Sequence, residues 1–94
     1  MSNYLVQSGL TTDGKIVVSG VFALYGTKGI PLELILEKFK EENLVIDWTD
    51  YIRKAQADGA KIPRIKSKIL EAVEDVYGQQ YASELSKRLD NIKI

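Results

Sequence analysis

Apolar residues recur with a helical period over most of this chain. Between residues 32 and 39 they repeat at intervals of three and four, while charged residues occupy the opposite side. Pro31 suits the first position of a helix, because its missing N–H would have no partner there, and Glu33 suits the first turn. The pattern therefore predicts a helix from Pro31 to about Asn43.

A second helix is predicted from capping chemistry as well as from its period. Asp47 is a candidate N-cap, and Asp50 stands three residues later in the place of a capping-box acid. Apolar side chains follow at helical spacing from Trp48 to Ala55, and Gly59 provides a stop. Trp48 and its neighbours on this stripe are expected to lie in the core.

Two further helices are predicted in the carboxy-terminal third. Pro63 can open a helix that Gly78 ends or bends, and a last helix is expected over about 79–91. The connections between the predicted helices are short, as is typical of small helical bundles.

The first thirty residues allow two interpretations. "KIVVSGVFALYG" fits a helix capped by Thr12 or Asp13, but its β-branched residues and the preceding "TTDG" also fit a β-hairpin with "YLVQSGL". We favour the helix, because an isolated hairpin is marginally stable. The predicted fold is all-α: one helical domain over 1–94, a bundle of four to five short helices, with a flexible or extended arm, or a hairpin strand, at 1–14.

Composition excludes several kinds of chemistry. The 94 residues contain neither cysteine nor histidine, so disulfides, thiolate nucleophiles, zinc–cysteine sites and histidine bases are absent. Acidic groups such as Glu71, Glu74 and Asp75 have no partners that would complete a catalytic site. We therefore expect a protein that is not an enzyme and has no cofactor and no metal. The longest apolar run, 16–25, is too short for a membrane span, which favours a cytoplasmic protein without membrane contact.

A net charge of zero hides a local basic cluster. Residues 31–50 carry six acids and two lysines, whereas residues 51–70 carry six basic residues and one acid. This basic patch could bind nucleic-acid phosphates or an acidic partner, or be neutralised within the fold by the acidic helix. It consists of Arg53, Lys54, Lys61, Arg64, Lys66 and Lys68.

The turn "GTKG" between the first two apolar segments could cradle a phosphate, with Lys28 assisting. It lacks the lysine–serine/threonine pair of a P-loop. The favoured interpretation is a helix–turn–helix corner in which Gly26 or Gly29 breaks the chain and Pro31 restarts it.

The segment "FALYGTKGIPLEL", followed by "LVID" at the same spacing, resembles the helical region of alanyl-tRNA synthetases that contacts the tRNA acceptor stem. The resemblance covers about residues 22–47, and Gly26 departs from it where the family usually has an aspartate. No class II catalytic core accompanies it. The resemblance implies RNA binding, with Glu33 as the acidic acceptor-stem candidate. The matching positions are Phe22, Leu24, Tyr25, Thr27, Gly29, Pro31, Leu32, Leu34, Leu44 and Asp47.

The carboxy-terminal helix carries a candidate protein interface. Tyr77 and Tyr81 lie four residues apart around Gly78, so they either pack across the last helix junction, which is favoured, or stand exposed, as tyrosines do where proteins meet. The set comprises Tyr77, Tyr81, Leu85, Leu89 and Ile92. Together these features predict a non-catalytic binding or assembly module, an accessory or structural subunit of a larger, for instance phage-encoded, assembly or oligomer. The alternative is RNA or DNA binding through the basic patch.

Overall fold

The computed structural model of the protein describes residues 5–92. Within this range, five helices and a three-stranded sheet follow one another. The elements are β1 (Val6–Leu10), β2 (Ile16–Ser19), α1 (Val21–Gly26), α2 (Leu32–Glu41), β3 (Leu44–Ile46), α3 (Trp48–Ala57), α4 (Ile62–Tyr77) and α5 (Gln79–Asp90).

The all-α prediction is wrong, because the part of the chain preceding α1 is a hairpin and a third strand joins it. β1 pairs with β2 in antiparallel fashion, and β2 pairs with β3 in parallel fashion. A lone hairpin would be marginal, but the third strand and the helices packed on the sheet remove that objection. The favoured helix over "KIVVSGVFALYG" is therefore replaced by β2 followed by the short α1. The first four residues of the predicted arm lie outside the described residues.

The hairpin is irregular at Ser8, where the register shifts between Gln7 and Gly9. A bulge of this kind turns a side chain towards a new partner. Here the Ser8 hydroxyl donates a hydrogen bond to Asp47 Oδ2 at 3.0 Å. The bulge thus links the hairpin to the start of α3.

The helices from α2 to α5 lie within a few residues of their predicted positions. The predicted N-cap is confirmed, since Asp47 accepts a hydrogen bond from the Asp50 backbone N–H at 3.2 Å. α4 has proline in its first turn and ends at Gly78, which has a φ of 99°. α5 begins directly after this glycine. The left-handed residue of the α1–α2 turn is Gly29, with a φ of 72°, and not Gly26.

All five helices and the sheet contribute to one core. Its most deeply buried side chains are Val21, Ile52, Ile69 and Val73, each at 1% exposure or less. Val18 and Ile46, paired across β2 and β3, bury the inner face of the sheet. Within residues 5–92, no helix combines the length and the apolar character that crossing a bilayer requires.

Candidate functional site

A pocket of about 230 Å³ opens where α1, α2, α3 and α4 meet. We call it the tyrosine pocket, because Tyr25 and Tyr51 line it together with Phe22. Its wall is largely apolar, and four charged side chains also line it: Glu33, Arg64, Lys68 and Glu71.

The space for the pocket comes from small residues at the end of α3. The N–H of Gly59 donates to the carbonyl of Gln56 at 2.9 Å, and the N–H of Ala60 donates to the carbonyl of Ala55 at 3.1 Å. This pair of bonds is the Schellman arrangement that closes a helix through a left-handed residue, here Gly59. It brings Ala55 and Ala60 together on the pocket wall, where larger side chains would fill the opening.

Aromatic rings stand against one another along the wall. The Phe22 and Tyr51 rings are 5.3 Å apart at 83°, an edge-to-face contact that stabilises aromatic pairs. The Tyr25 ring lies 6.4 Å from that of Tyr51 at 50°. The Trp48 ring also contacts the Tyr51 ring, with the two ring centres 5.6 Å apart. These contacts hold the Tyr51 side chain, which is 4% exposed, in one position.

The Tyr51 hydroxyl is protonated over the physiological pH range. Burial raises the pKa of Tyr51, and the neighbouring Tyr25 and Glu33 side chains raise it further. The hydroxyl can therefore both donate and accept a hydrogen bond.

The four charged residues of the pocket come from two helices. Arg64, Lys68 and Glu71 lie on α4, and Glu33 faces them from α2. Within residues 5–92, none of the four makes an ion pair or a side-chain hydrogen bond. Two cations and two acids thus surround an apolar opening, and their charges are unpaired in the described part of the chain.

The predicted basic patch is divided in the structure. Lys54 pairs with Asp50 at 3.1 Å, and Lys66 pairs with Asp90 at 2.6 Å. The other members, Arg53, Lys61, Arg64 and Lys68, are exposed and lack an ion pair within the described residues. The acidic helix α2 makes none of these pairs, so it does not neutralise the patch in the way the sequence allowed.

The two residues predicted at the α1–α2 corner occupy different surroundings. Glu33 is half-buried at the tyrosine pocket, whereas Lys28 is exposed on the turn. Sequence reasoning did not connect Glu33 with Arg64 and Lys68, because their shared place on the pocket wall depends on how α2 packs on α4.

The candidate protein interface is only partly on the surface. Leu85 and Leu89 belong to the core, with exposures of 3% and 2%, because α5 packs this stripe against α4. Tyr77 and Tyr81 are half-buried and stack, with ring centres 4.5 Å apart at 19°. Ile92 packs against the edge of the core. The predicted interface therefore loses its two leucines.

The tyrosine stack at the α4–α5 junction is tied to α2. The Tyr77 hydroxyl donates to the Leu36 carbonyl at 3.5 Å, and the Lys40 ammonium lies 5.5 Å from the centre of the Tyr77 ring. Lys40 also donates to the Val76 carbonyl at 3.2 Å. These contacts within the fold account for the positions of Tyr77 and Tyr81.

Two carboxylates at the start of α3 have structural roles. Asp47 caps α3, and Asp50 accepts a hydrogen bond from the Gly20 N–H at 2.9 Å. Within residues 5–92, no three acidic side chains converge as a metal site would require.

Comparison with protein-family models, with curated proteins and with solved structures gives no match to this chain. The resemblance of residues 22–47 to alanyl-tRNA synthetases therefore stays a prediction.

Proposed function

We propose that this chain is a non-catalytic protein-binding module, a small accessory or structural subunit of a larger assembly in the cytoplasm. In this proposal a partner protein places one side chain in the tyrosine pocket. The observation that carries the proposal is the apolar opening surrounded by four charged groups that are unpaired within residues 5–92. An apolar centre inside a polar rim is the arrangement that protein interfaces use at their strongest contacts.

The size of the pocket favours a side chain over a cofactor. Sites for drug-sized ligands enclose about 300–1,000 Å³. The tyrosine pocket, at about 230 Å³, is smaller. Its volume suits one large side chain, while the rest of a partner would lie on the surrounding charged surface.

Filling the pocket tests this proposal. Ala60→Trp places a bulky ring on the pocket wall, whereas Ala57→Trp places the same ring on an exposed position of α3 and serves as the matched control. The tagged chain is used for affinity purification, with both protein and nucleic acid analysed and folding checked by circular dichroism. We expect a protein partner to be retained by the wild type and by Ala57→Trp and lost from Ala60→Trp. Equal retention by the two folded variants, or no retained protein, would contradict the proposal.

Nucleic-acid binding is the second candidate, and one observation favours it. Lys61, Arg64 and Lys68 recur at intervals of three and four residues around α4, all exposed and without an ion pair in the described part of the chain. The alanyl-tRNA synthetase resemblance implies that Glu33 contacts RNA, and Glu33 lines the same pocket as Arg64 and Lys68.

Salt dependence separates the two candidates. Phosphate contacts release counterions, so the logarithm of the binding constant would fall by about 0.7–0.9 per contact for each tenfold rise in salt. Fluorescence anisotropy with labelled RNA and DNA measures this slope for the wild type and for Lys61→Glu with Lys68→Glu. Unchanged binding by the double variant would rule out the basic patch as the nucleic-acid surface.

A further inference from the structure

The tyrosine pocket contains a hydroxyl group that has no hydrogen-bond partner among residues 5–92. The Tyr51 side chain is 4% exposed, and its hydroxyl makes no hydrogen bond with any of residues 5–92. Yet no fully enclosed side-chain nitrogen or oxygen in this range lacks a partner. The position of Tyr51 on the pocket wall gives the hydroxyl oxygen access to solvent.

Its neighbours also place the hydroxyl at the pocket. Tyr25 and Glu33, the two side chains that act on the Tyr51 hydroxyl electrostatically, both line the pocket. An occupant that displaces water from this point must supply a hydrogen bond, since a polar group desolvated without a partner is costly. A purely apolar side chain would leave the hydroxyl unsatisfied.

The charged residues of the pocket limit the charge of that occupant. The carboxylates of Glu33 and Glu71 and the cations of Arg64 and Lys68 line the same opening, so neither an anionic nor a cationic tip is favoured there. A neutral group that can donate a hydrogen bond meets both conditions. The rings of Phe22, Tyr25 and Tyr51 favour an aromatic body, because aromatic pairs gain from tilted and edge-on contacts.

The surface beside the pocket has an excess of cations, since Lys61, Arg64 and Lys68 outnumber the two acids there, Glu33 and Glu71. Lys61, Arg64 and Lys68 are exposed there and are not neutralised by any acid within ion-pair distance in residues 5–92. Carboxylates that flank the inserted side chain would pair with these cations. Charge complementarity therefore favours an acidic segment.

We infer that the occupant of the tyrosine pocket is the tyrosine side chain of an acidic segment in a partner protein. Its phenol group hydrogen-bonds to the Tyr51 hydroxyl, and its neighbouring carboxylates lie against Arg64 and Lys68. This inference rests on the proposed protein-binding function and specifies the chemistry of the partner.

Short blocked peptides test the inference directly. Acetyl-Gly-Asp-Tyr-Asp-Gly-amide is compared with versions that carry phenylalanine in place of tyrosine or lysine in place of both aspartates. Binding is followed by NMR from the backbone amides of the labelled full chain, with shifts expected at Tyr25, Ala60 and Lys68. One hydrogen bond corresponds to a preference for tyrosine over phenylalanine of about threefold to tenfold. We expect the lysine peptide to bind more weakly than the aspartate peptide.

The Tyr51→Phe variant identifies the hydrogen bond. It removes only the hydroxyl, which has no partner among residues 5–92, so we expect the variant to fold and to bind both aromatic peptides equally. Tyr77→Phe, at the α4–α5 junction, is the matched control and should keep the preference.

Three results would overturn the inference: equal binding of tyrosine and phenylalanine peptides, a preference that survives in Tyr51→Phe, or no binding of the tyrosine peptide. Tighter binding of the lysine peptide would overturn its acidic part. None of these results decides the proposed function, which depends on whether Ala60→Trp loses the natural partner.

Discussion

Asp50 Oδ2 accepts a hydrogen bond from the Gly20 backbone N–H at 2.9 Å, across thirty residues of sequence. Gly20 caps α1 in a left-handed conformation, with a φ of 88°, and is buried. The other carboxylate oxygen of Asp50 pairs with Lys54 at 3.1 Å. One side chain of α3 thus fixes the point at which β2 turns into α1, and α1 carries two of the rings in the tyrosine pocket.

We expect Asp50→Ala to lower the free energy of unfolding by about 1–3 kcal/mol, because it leaves the buried Gly20 N–H without an acceptor. Asp50→Asn retains a carbonyl oxygen and should recover most of the loss. Lys54→Ala removes only a surface ion pair, for which we expect less than about 1 kcal/mol. Urea unfolding of the three variants measures the differences, and an equal loss in Asp50→Ala and Lys54→Ala would contradict this role of Asp50.

The role of Asp50 illustrates what the sequence could predict. Its spacing from Asp47 suggested a capping box, and the Asp47 cap is present. The Asp50 carboxylate, however, bonds to Gly20 and Lys54. Local spacing predicts which residues cap a helix, whereas a partner thirty residues away depends on how the sheet and the helices pack.

The sheet was missed for a related reason. β3 has three residues, too few for a periodic pattern, and it pairs with β2 only because two helices return the chain to the same place. Without β3 a hairpin is isolated and marginally stable, which is why the sequence alone favours a helix. The helices from α2 onwards were predicted within a few residues, since their apolar stripes, prolines and glycines are local signals.

We expect Ile46→Ala to lower the free energy of unfolding by about 2–5 kcal/mol, since Ile46 is 5% exposed on the inner face of the sheet. Val6→Ala on β1 is the control. Val6 is 58% exposed, so its truncation should change stability by less than about 0.5 kcal/mol. Chemical denaturation compares them. A loss for Ile46→Ala as small as that for Val6→Ala would mean that β3 is not part of the core.

The pocket, like the sheet, depends on packing that single residues do not reveal. Tyr51 was predicted on the apolar stripe of α3, and its burial follows that prediction. Its hydroxyl gave no signal in the sequence. The small residues Ala55 and Ala60, on either side of Gly59, are the signal that could have been used, because small side chains at a helix end leave room between larger neighbours.

We expect stability to fall at alkaline pH, in part through Tyr51. Burial, followed by the Tyr25 and Glu33 side chains, raises the pKa of Tyr51 above that of the unfolded chain. Above about pH 10 the unfolded chain loses this proton while the folded chain keeps it, so the stabilisation is complete below that pH and is lost as pH rises towards the folded pKa. Urea unfolding at about pH 8 and about pH 11 should show a smaller decline for Tyr51→Phe than for the wild type.

The same experiment has an internal comparison. Burial, and then Tyr81, raises the pKa of Tyr77, which is half-buried, so Tyr77→Phe should reduce the alkaline decline as well. An alkaline decline identical in wild type and Tyr51→Phe would show that the Tyr51 proton is not held more tightly in the folded chain.

The last prediction concerns α5, which the sequence offered as a surface for a partner. Leu89 is 2% exposed between α5 and the rest of the core, so its truncation should act on stability and not on assembly. We expect Leu89→Ala to cost about 2–5 kcal/mol, measured by urea unfolding. Light scattering at conditions where the variant is folded should give the same mass as the wild type. If the folded variant instead changes its mass without losing stability, Leu89 belongs to an interface. That result would support the hypothesis that α5 is the contact surface of this protein.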